Sequence, residues 1–339
     1  MRLTDQYCVD SAAASWVVNL FVKLLSGETD VMPAASEENG GKPVYSFIAI
    51  GTGFTVALRR GGTMYSHGLN DHFQCDVSGW SGIVSVACGN AHTIGLKNDG
   101  RVLAAGLNSH NQCDVSELTD IAGVYAFNHA TVCVKKDGGV VVKGKCDADV
   151  SHFNQIKSIA RFPEGIFGIR SDGTVMVSAP DTELDAQDGN PADSSQAEER
   201  SWAESLTDVK QIISTYINGS IVLKNNGRIY KMGKPDNYFA QWDDINAIES
   251  LSDYFVVLKN DGTVRILAYD RDKPRKPSEA DTWQDIVMIY GKFNKLIGLT
   301  RYGELKYVAT DSLLLKKNKS LQYLADWEAV GWTTGFSDT

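Results

Sequence analysis

His92-Thr93-Ile94-Gly95-Leu96-Lys97-Asn98-Asp99-Gly100-Arg101-Val102 decides the fold. An alternating apolar run enters Asp99-Gly100 and a second apolar run leaves it. That pattern predicts a β-hairpin closed by a two-residue type I′ turn, which needs positive φ at both centres. The same object recurs at Leu58…Gly62, Val134…Gly138, Ile169…Gly173, Leu223…Gly227, Leu258…Gly262 and Leu299…Gly303, always with the apolar residue four before the Gly. Successive glycines are separated by 38, 38, 35, 54, 35 and 41 residues. Seven such units imply seven similar blades.

Working outward, units 1 and 2 superpose at an offset of 38. Gly51 matches Gly89, Gly68-Leu69-Asn70 matches Gly106-Leu107-Asn108, and Gln74-Cys75-Asp76-Val77-Ser78 matches Gln112-Cys113-Asp114-Val115-Ser116. The units run over about 43–80, 81–118, 119–153, 154–206, 207–242, 243–283 and 284–327. Asp208-Val209, Asp244-Ile245 and Asp285-Ile286 open the last three, and Trp80, Trp242, Trp283 and Trp327 recur at one repeat position as inter-blade packing. Each unit reads as four short strands, exemplified by Ile83–Ala87 (A), His92–Leu96 (B), Arg101–Ala105 (C) and Gln112–Val115 (D). One such sheet cannot bury both faces, whereas a radial stack can. The fold class is therefore all-β: a seven-bladed β-propeller of four-stranded blades over 43–327, with a short N-terminal helical extension (1–44) and a tail or closing strand (328–339).

The extension contains one amphipathic stretch, in which Trp16, Leu20, Phe21 and Leu24 fall on one helical face. It is too short and interrupted to span a bilayer. Arg2 opposed by Asp5 and Asp10 makes a poor export signal, so a cytoplasmic location is expected, with secretion as the alternative. Pro and small polar residues mark 32–42 as a linker.

Net charge is −9. Nucleic-acid binding relies on a basic face that releases counterions, so that class is disfavoured. Six cysteines occur without a CxxC pair, and the six histidines show no metal-ligand spacing. No nucleophile elbow, Walker or dinucleotide fingerprint is present. Strand-A positions near the channel are mostly Val, Ile, Ala and Ser. The reading is of a non-enzymatic chain with no cofactor and no metal. His92 is expected to make a structural hydrogen bond, and Gly-x-Asn at Asn70 and Asn108 to close turns.

The series Ile-x-x-Val-x-x-Gly-x-x-His-Thr-x-x-Leu-Lys-x-Asp-Gly-x-Val-x-x-x-Gly-x-Asn, from Ile83 to Asn108, resembles the repeat of the regulator of chromosome condensation (RCC1-like) family. The Gln-Cys-Asp-Val-Ser ending is similar to that of bacterial members. The resemblance covers 43–327 and weakens in units 4–7, where His-Thr is lost and Tyr302 replaces the residue before Gly303. It implies a seven-bladed propeller with a protein-binding face. Members of the family act in guanine-nucleotide exchange on a small GTPase with nucleosome docking, in light sensing, and, in a secreted bacterial relative, in β-lactamase inhibition. The resemblance thus points to a protein-interaction module, with enzyme inhibition or nucleotide exchange as alternatives.

In an A-B-C-D meander the A–B and C–D loops share one face. The B–C hairpins barely vary in length, whereas the C–D loops do: 179–201, 234–239, 269–281 and 310–322 in units 4–7. Binding is expected on the diversified face. The unit 4 insertion is acidic and low in apolar residues, a composition of disordered segments. Arg271, Lys273, Arg275 and Lys276 in unit 6, with Lys316, Lys317 and Lys319 in unit 7, give the rim a basic counterpart. Phe54, Phe127, Phe162, Tyr216, Tyr254 and Phe293 fall in the A–B loops and are expected to be exposed partner-binding aromatics, with some of them plugging the channel mouth instead. The expected partner is one protein bound to a monomeric chain, with neither nucleic acid nor membrane.

Overall fold

The structure is a computed structural model that describes residues 38–39, 42–43, 45–59, 62–146, 148–162, 165–178, 200–215, 219–231, 239, 242–251, 254–268, 278–292, 295–302 and 305–309. Seven antiparallel sheets follow one another along the chain, each a sequential A-B-C meander. Their strands are Tyr45–Ile50, Phe54–Arg59 and Met64–Gly68 in blade 1, Ile83–Cys88, His92–Lys97 and Val102–Gly106 in blade 2, and Ile121–Phe127, Ala130–Lys135 and Val140–Gly144 in blade 3. Blade 4 has Ile156–Phe162, Gly165–Arg170 and Val175–Ser178, and blade 5 has Val209–Thr215, Gly219–Lys224 and Ile229–Lys231. Blade 6 has Ile245–Ser250, Tyr254–Lys259 and Val264–Ala268, and blade 7 has Ile286–Lys292, Lys295–Thr300 and Leu305–Ala309. A two-stranded ribbon, Glu38–Asn39 with Lys42–Pro43, precedes them.

Strand B reads as a nearly continuous apolar run because both of its faces are covered. In His92–Lys97 every residue but the last is buried. The covering surface is the next blade: Val132 and Val134 of blade 3 share a cluster with Ile156, Ile159 and Ile166 of blade 4. The same packing closes the ring, since Ile48, Val56 and Leu58 of blade 1 cluster with Met288, Tyr290, Ile297 and Leu299 of blade 7. Full burial of each such side chain contributes about 1.5–3 kcal/mol, which offsets the ordering of short strands.

The hairpin tip differs from the two-residue turn expected. Only Gly100 has positive φ (86°), while Asp99 does not. Gly100 N–H donates to Lys97 C=O at 3.0 Å and Lys97 N–H to Arg101 C=O at 2.9 Å. This is a type I turn followed by a left-handed glycine and a bulge, a three-residue loop. Lys135–Gly139, Arg170–Thr174, Lys224–Arg228 and Lys259–Thr263 repeat both bonds. The Asp side chain has a different role from that expected: Asp99 accepts from Arg101 N–H at 3.0 Å, and Asp137, Asp172 and Asp261 do the same two residues on.

The tips also bind the blades together. Asn98 N–H donates to Gly82 C=O at the start of its own blade, and Gly100 C=O accepts from Ile121 N–H, the first strand residue of the next. Blades 3–6 repeat both links, the latter at Gly138–Ile156, Gly173–Val209, Gly227–Ile245 and Gly262–Ile286. The unit openers explain themselves here. Asp120, Asp208, Asp244 and Asp285 hold φ between 57° and 60° immediately before strand A. Asp tolerates that region better than most residues.

The described recurrent aromatics lie between blades as expected, and three of them stand over a glycine of strand B. A Cβ on Gly95 of strand B would come within 2.6 Å of the Trp80 ring. Gly298 stands equally close to Trp283, and Gly168 to Phe153. Leu206 shares a cluster with Val222, and Leu118 packs on the cluster that holds Cys133, but the aromatic does not require Gly opposite it, since Trp242 packs on the cluster that holds Val257. Trp327 and the amphipathic stretch 12–25 lie outside the described residues, as does the tail 328–339.

The fourth strand is not formed in any blade among the described residues; each sheet stops at three. Its place is taken by compact turns. After strand C of blade 2, Asn108 Oδ1 accepts from Cys113 N–H and its Nδ2 donates to Asp114, both at 2.8 Å, and Asn70 makes the same pair of bonds in blade 1. Side-chain acceptors thus replace a strand partner for these amides. In blade 6 a 3-10 helix, Glu279–Thr282, stands there, capped by Ser278 and burying Ala280. In blade 4 residues 200–204 are helical and bury Ala203, so the end of the acidic insertion is ordered, while 179–199 lie outside the described residues.

Candidate functional site

The two ends of the propeller differ. At the B–C end the five fully described hairpins share one set of bonds. At the A–B/C–D end the connection from strand C to the next strand A ranges from Gly144–Ile156 at its shortest to Ser178–Val209 at its longest. The A–B turns were expected to carry exposed aromatics, and three of them do not. Phe54, Phe127 and Phe162 are 3%, 6% and 3% exposed. The reason is a shared space at each A–B turn, filled from one of two positions three residues apart. In blades 1 and 2 the ring begins strand B, and strand A is followed by Gly51 or Gly89, where a Cβ would collide with Phe54 or His92. In blades 3 and 4 the ring ends strand A, as Phe127 and Phe162, and strand B starts with Ala130 or Gly165. Arg161 of blade 4 stacks its guanidinium 5.8 Å from the Phe127 ring, and Phe162 stacks on Phe167 at 4.4 Å. Tyr254 is half-buried at the edge of the cluster between blades 6 and 7. Tyr216, Phe293, Arg271, Lys273, Arg275 and Lys276 lie outside the described residues.

His92 sits at the same end, fully buried, with Nε2 3.2 Å from Thr131 Oγ1 of blade 3. Thr131 spends its own hydroxyl hydrogen on Gln112 C=O at 2.7 Å. His92 Nε2 is therefore the donor, which fixes the tautomer. Thr93 repeats the bond to Gln74 C=O at 2.7 Å. These threonines fasten the C–D turn of one blade to strand B of the next. Thr131→Val keeps the shape but strands a buried N–H and a buried carbonyl, at a cost of about 1–3 kcal/mol. Thr131→Ser is expected to lose less, with urea unfolding midpoints as the measurement.

Chemically reactive groups are muted. Burial pushes the Cys75 and Cys113 thiols up to about 11, which keeps them protonated at neutral pH. Among the described residues no three His, Cys, Asp or Glu side chains are placed to hold a metal ion, and no helix is long and apolar enough to cross a membrane.

Two residues of this face were not singled out from the sequence. Leu69 and Phe73, on the C–D turn of blade 1, are 39% and 68% exposed. The signal lay in the internal duplication, because at the offset of 38 Phe73 stands opposite Asn111.

Fold and repeat together define a class: the chain is a seven-bladed β-propeller whose second blade carries an RCC1-type repeat. Residues 83–112 match the model of the Regulator of chromosome condensation (RCC1) repeat. Among solved structures, the chain is similar to the CRINKLY WD40 ectodomain of the Arabidopsis thaliana receptor kinase ACR4, with 15% identity, TM-score 0.52, and coverage of 77% of this chain and 95% of that one. It is likewise similar to the ectodomain of the Physcomitrella patens receptor kinase CR4, with 13% identity, TM-score 0.54, and coverage of 79% and 74%. Human WBSCR16 is similar at 15% identity, TM-score 0.50, and coverage of 76% and 87%. At these identities the likeness is one of fold. No curated protein matches the chain by sequence.

Proposed function

We propose that the chain is a non-enzymatic interaction module that binds one protein partner on its A–B/C–D face, as a cytoplasmic monomer. The observation that supports this most is the asymmetry of the two ends. Uniform hairpins are consumed in joining blades, each tip bonding to its own blade and to the next. The opposite end carries connections of unequal length and composition, where binding residues are free to differ. Tyr254 and the basic stretch Arg271, Lys273, Arg275 and Lys276 belong to blade 6 and would contribute a wide apolar contact and charge steering.

The test is to isolate the partner with the full chain from the native host and to measure its affinity by calorimetry. Exchanging the four basic residues of blade 6 for Glu is expected to weaken binding at least tenfold and to reduce its salt dependence. Asn226→Ala, on a hairpin tip at the other end, is expected to leave it unchanged. The reverse pattern would place the partner on the hairpin face and overturn the reading.

A further inference from the structure

Phe73 is disfavoured twice where it stands. It holds φ at 65°, a region that bulky L-residues rarely adopt and that Asn tolerates. It also leaves 68% of its surface in water. Asn111 takes the same place in blade 2 at φ 64°, within a matching Gln-Cys-Asp-Val-Ser turn. The turn therefore folds without Phe, and strain at an exposed aromatic calls for a reason outside folding. Leu69, four residues earlier, lies over Gly53 of the A–B turn, and its amide donates to Gly53 C=O at 2.8 Å. Among the described residues the exposed large apolar side chains are Leu69, Phe73 and Tyr302, and the first two share this turn. Their own turn and that of the next blade are acidic. The C–D turns 69–79 and 107–118 contain Asp71, Asp76, Asp114 and Glu117 and no Lys or Arg. Blade 1's turn is seated on blade 2 through the Thr93–Gln74 bond.

We propose that Leu69 and Phe73 anchor a protein segment in which an apolar side chain is flanked by Lys or Arg. This rests on the interaction reading above and assigns it a place and a partner chemistry. An apolar pair gives the contact its area, and the carboxylates around it select a cationic partner and repel an acidic one.

The probe is a fluorescein-labelled amphipathic Leu/Lys peptide, with Ser/Lys and Leu/Glu versions of equal length, titrated against the full chain by anisotropy. The Leu/Lys peptide is expected to bind about tenfold more tightly than either control. Phe73→Asn should weaken it about tenfold while the melting temperature holds or rises, and Leu69→Ser provides an independent loss. Asn111→Phe, which recreates the feature on blade 2, should raise the stoichiometry from one to two. Equal binding of the Ser/Lys peptide, or wild-type affinity in Phe73→Asn, would overturn the anchor. With a native partner in hand, undiminished binding by Phe73→Asn would remove this anchor and leave the module intact. Failure of the wild-type chain to retain any partner would remove the module reading itself.

Discussion

Gly95→Val is expected to lower the stability of this propeller by about 1–3 kcal/mol. The added carbons enter a space already held by Trp80, whose ring lies 2.6 Å from the position of the first of them. Strand B is covered on both faces, so the half-buried Trp80, packed on the cluster of blade 1, is the side that must give way. Trp80→Leu alone should cost about 3 kcal/mol by opening a cavity. The pair tells more than either single change. Trp80→Leu with Gly95→Val rebuilds the arrangement that blade 5 already uses, Leu206 against Val222. The double variant is expected to be more stable than either single variant, with a coupling energy of about 2 kcal/mol read from urea midpoints in a double-mutant cycle. Additive losses would show that blade geometry, and not the paired volumes, sets the choice of residue.

The same comparison shows what a one-dimensional repeat makes legible. Blade number and strand order follow from the spacing of the hairpin glycines, because every tip needs a left-handed residue and an apolar residue to end strand B. The Trp positions were legible as packing for a similar reason, since they recur at one position of the repeat. Turn type was not. Asp-Gly suits both a two-residue and a three-residue loop, and the outcome depends on whether Lys97 pairs with Arg101 across the tip. The exposure of the A–B aromatics was not legible either. Phe54 and Phe127 occupy different places in the repeat, and only in space do they fill equivalent sites at the A–B turns of blades 1 and 3. A search for aromatics in loops counts both as surface. In blades 1 and 2 the expected fourth strand is a turn, in which Asn70 and Asn108 accept from Cys75 and Cys113 N–H and Gln74 and Gln112 bury their side chains without a sheet. Phe73 was legible only against Asn111, as a mismatch within a duplication.

Glu249 in strand A of blade 6 carries the second large expected effect, and it is visible only as a dependence on pH. Its side chain is 2% exposed and faces blade 7. Burial pushes its carboxyl well above the ordinary carboxylate range, and acceptance from the amides of Gly291 and Ser250 offsets only part of that. Oε2 has no hydrogen-bond partner among the described residues, which suits a neutral acid. Tyr290, buried on the adjoining strand, is raised chiefly by its own burial. The folded chain therefore keeps a proton that the unfolded chain releases near pH 4.3. Stability linked to this group is complete below that pH and falls as pH rises towards the folded value, by up to about 1.4 kcal/mol per pH unit. The carboxylates at Asp99, Asp172 and Asp261, held low by bonds to Arg101, Thr174 and Thr263, act in the opposite sense. They are common to wild type and variant and cancel in the difference. Glu249→Gln keeps an acceptor for the two amides and removes the titration. Its stability relative to wild type is expected to rise with pH from about pH 5 upward, measured as urea midpoints. Parallel curves for the two proteins would mean that Glu249 ionises in the fold without cost, and that the seam between blades 6 and 7 admits enough water to solvate it.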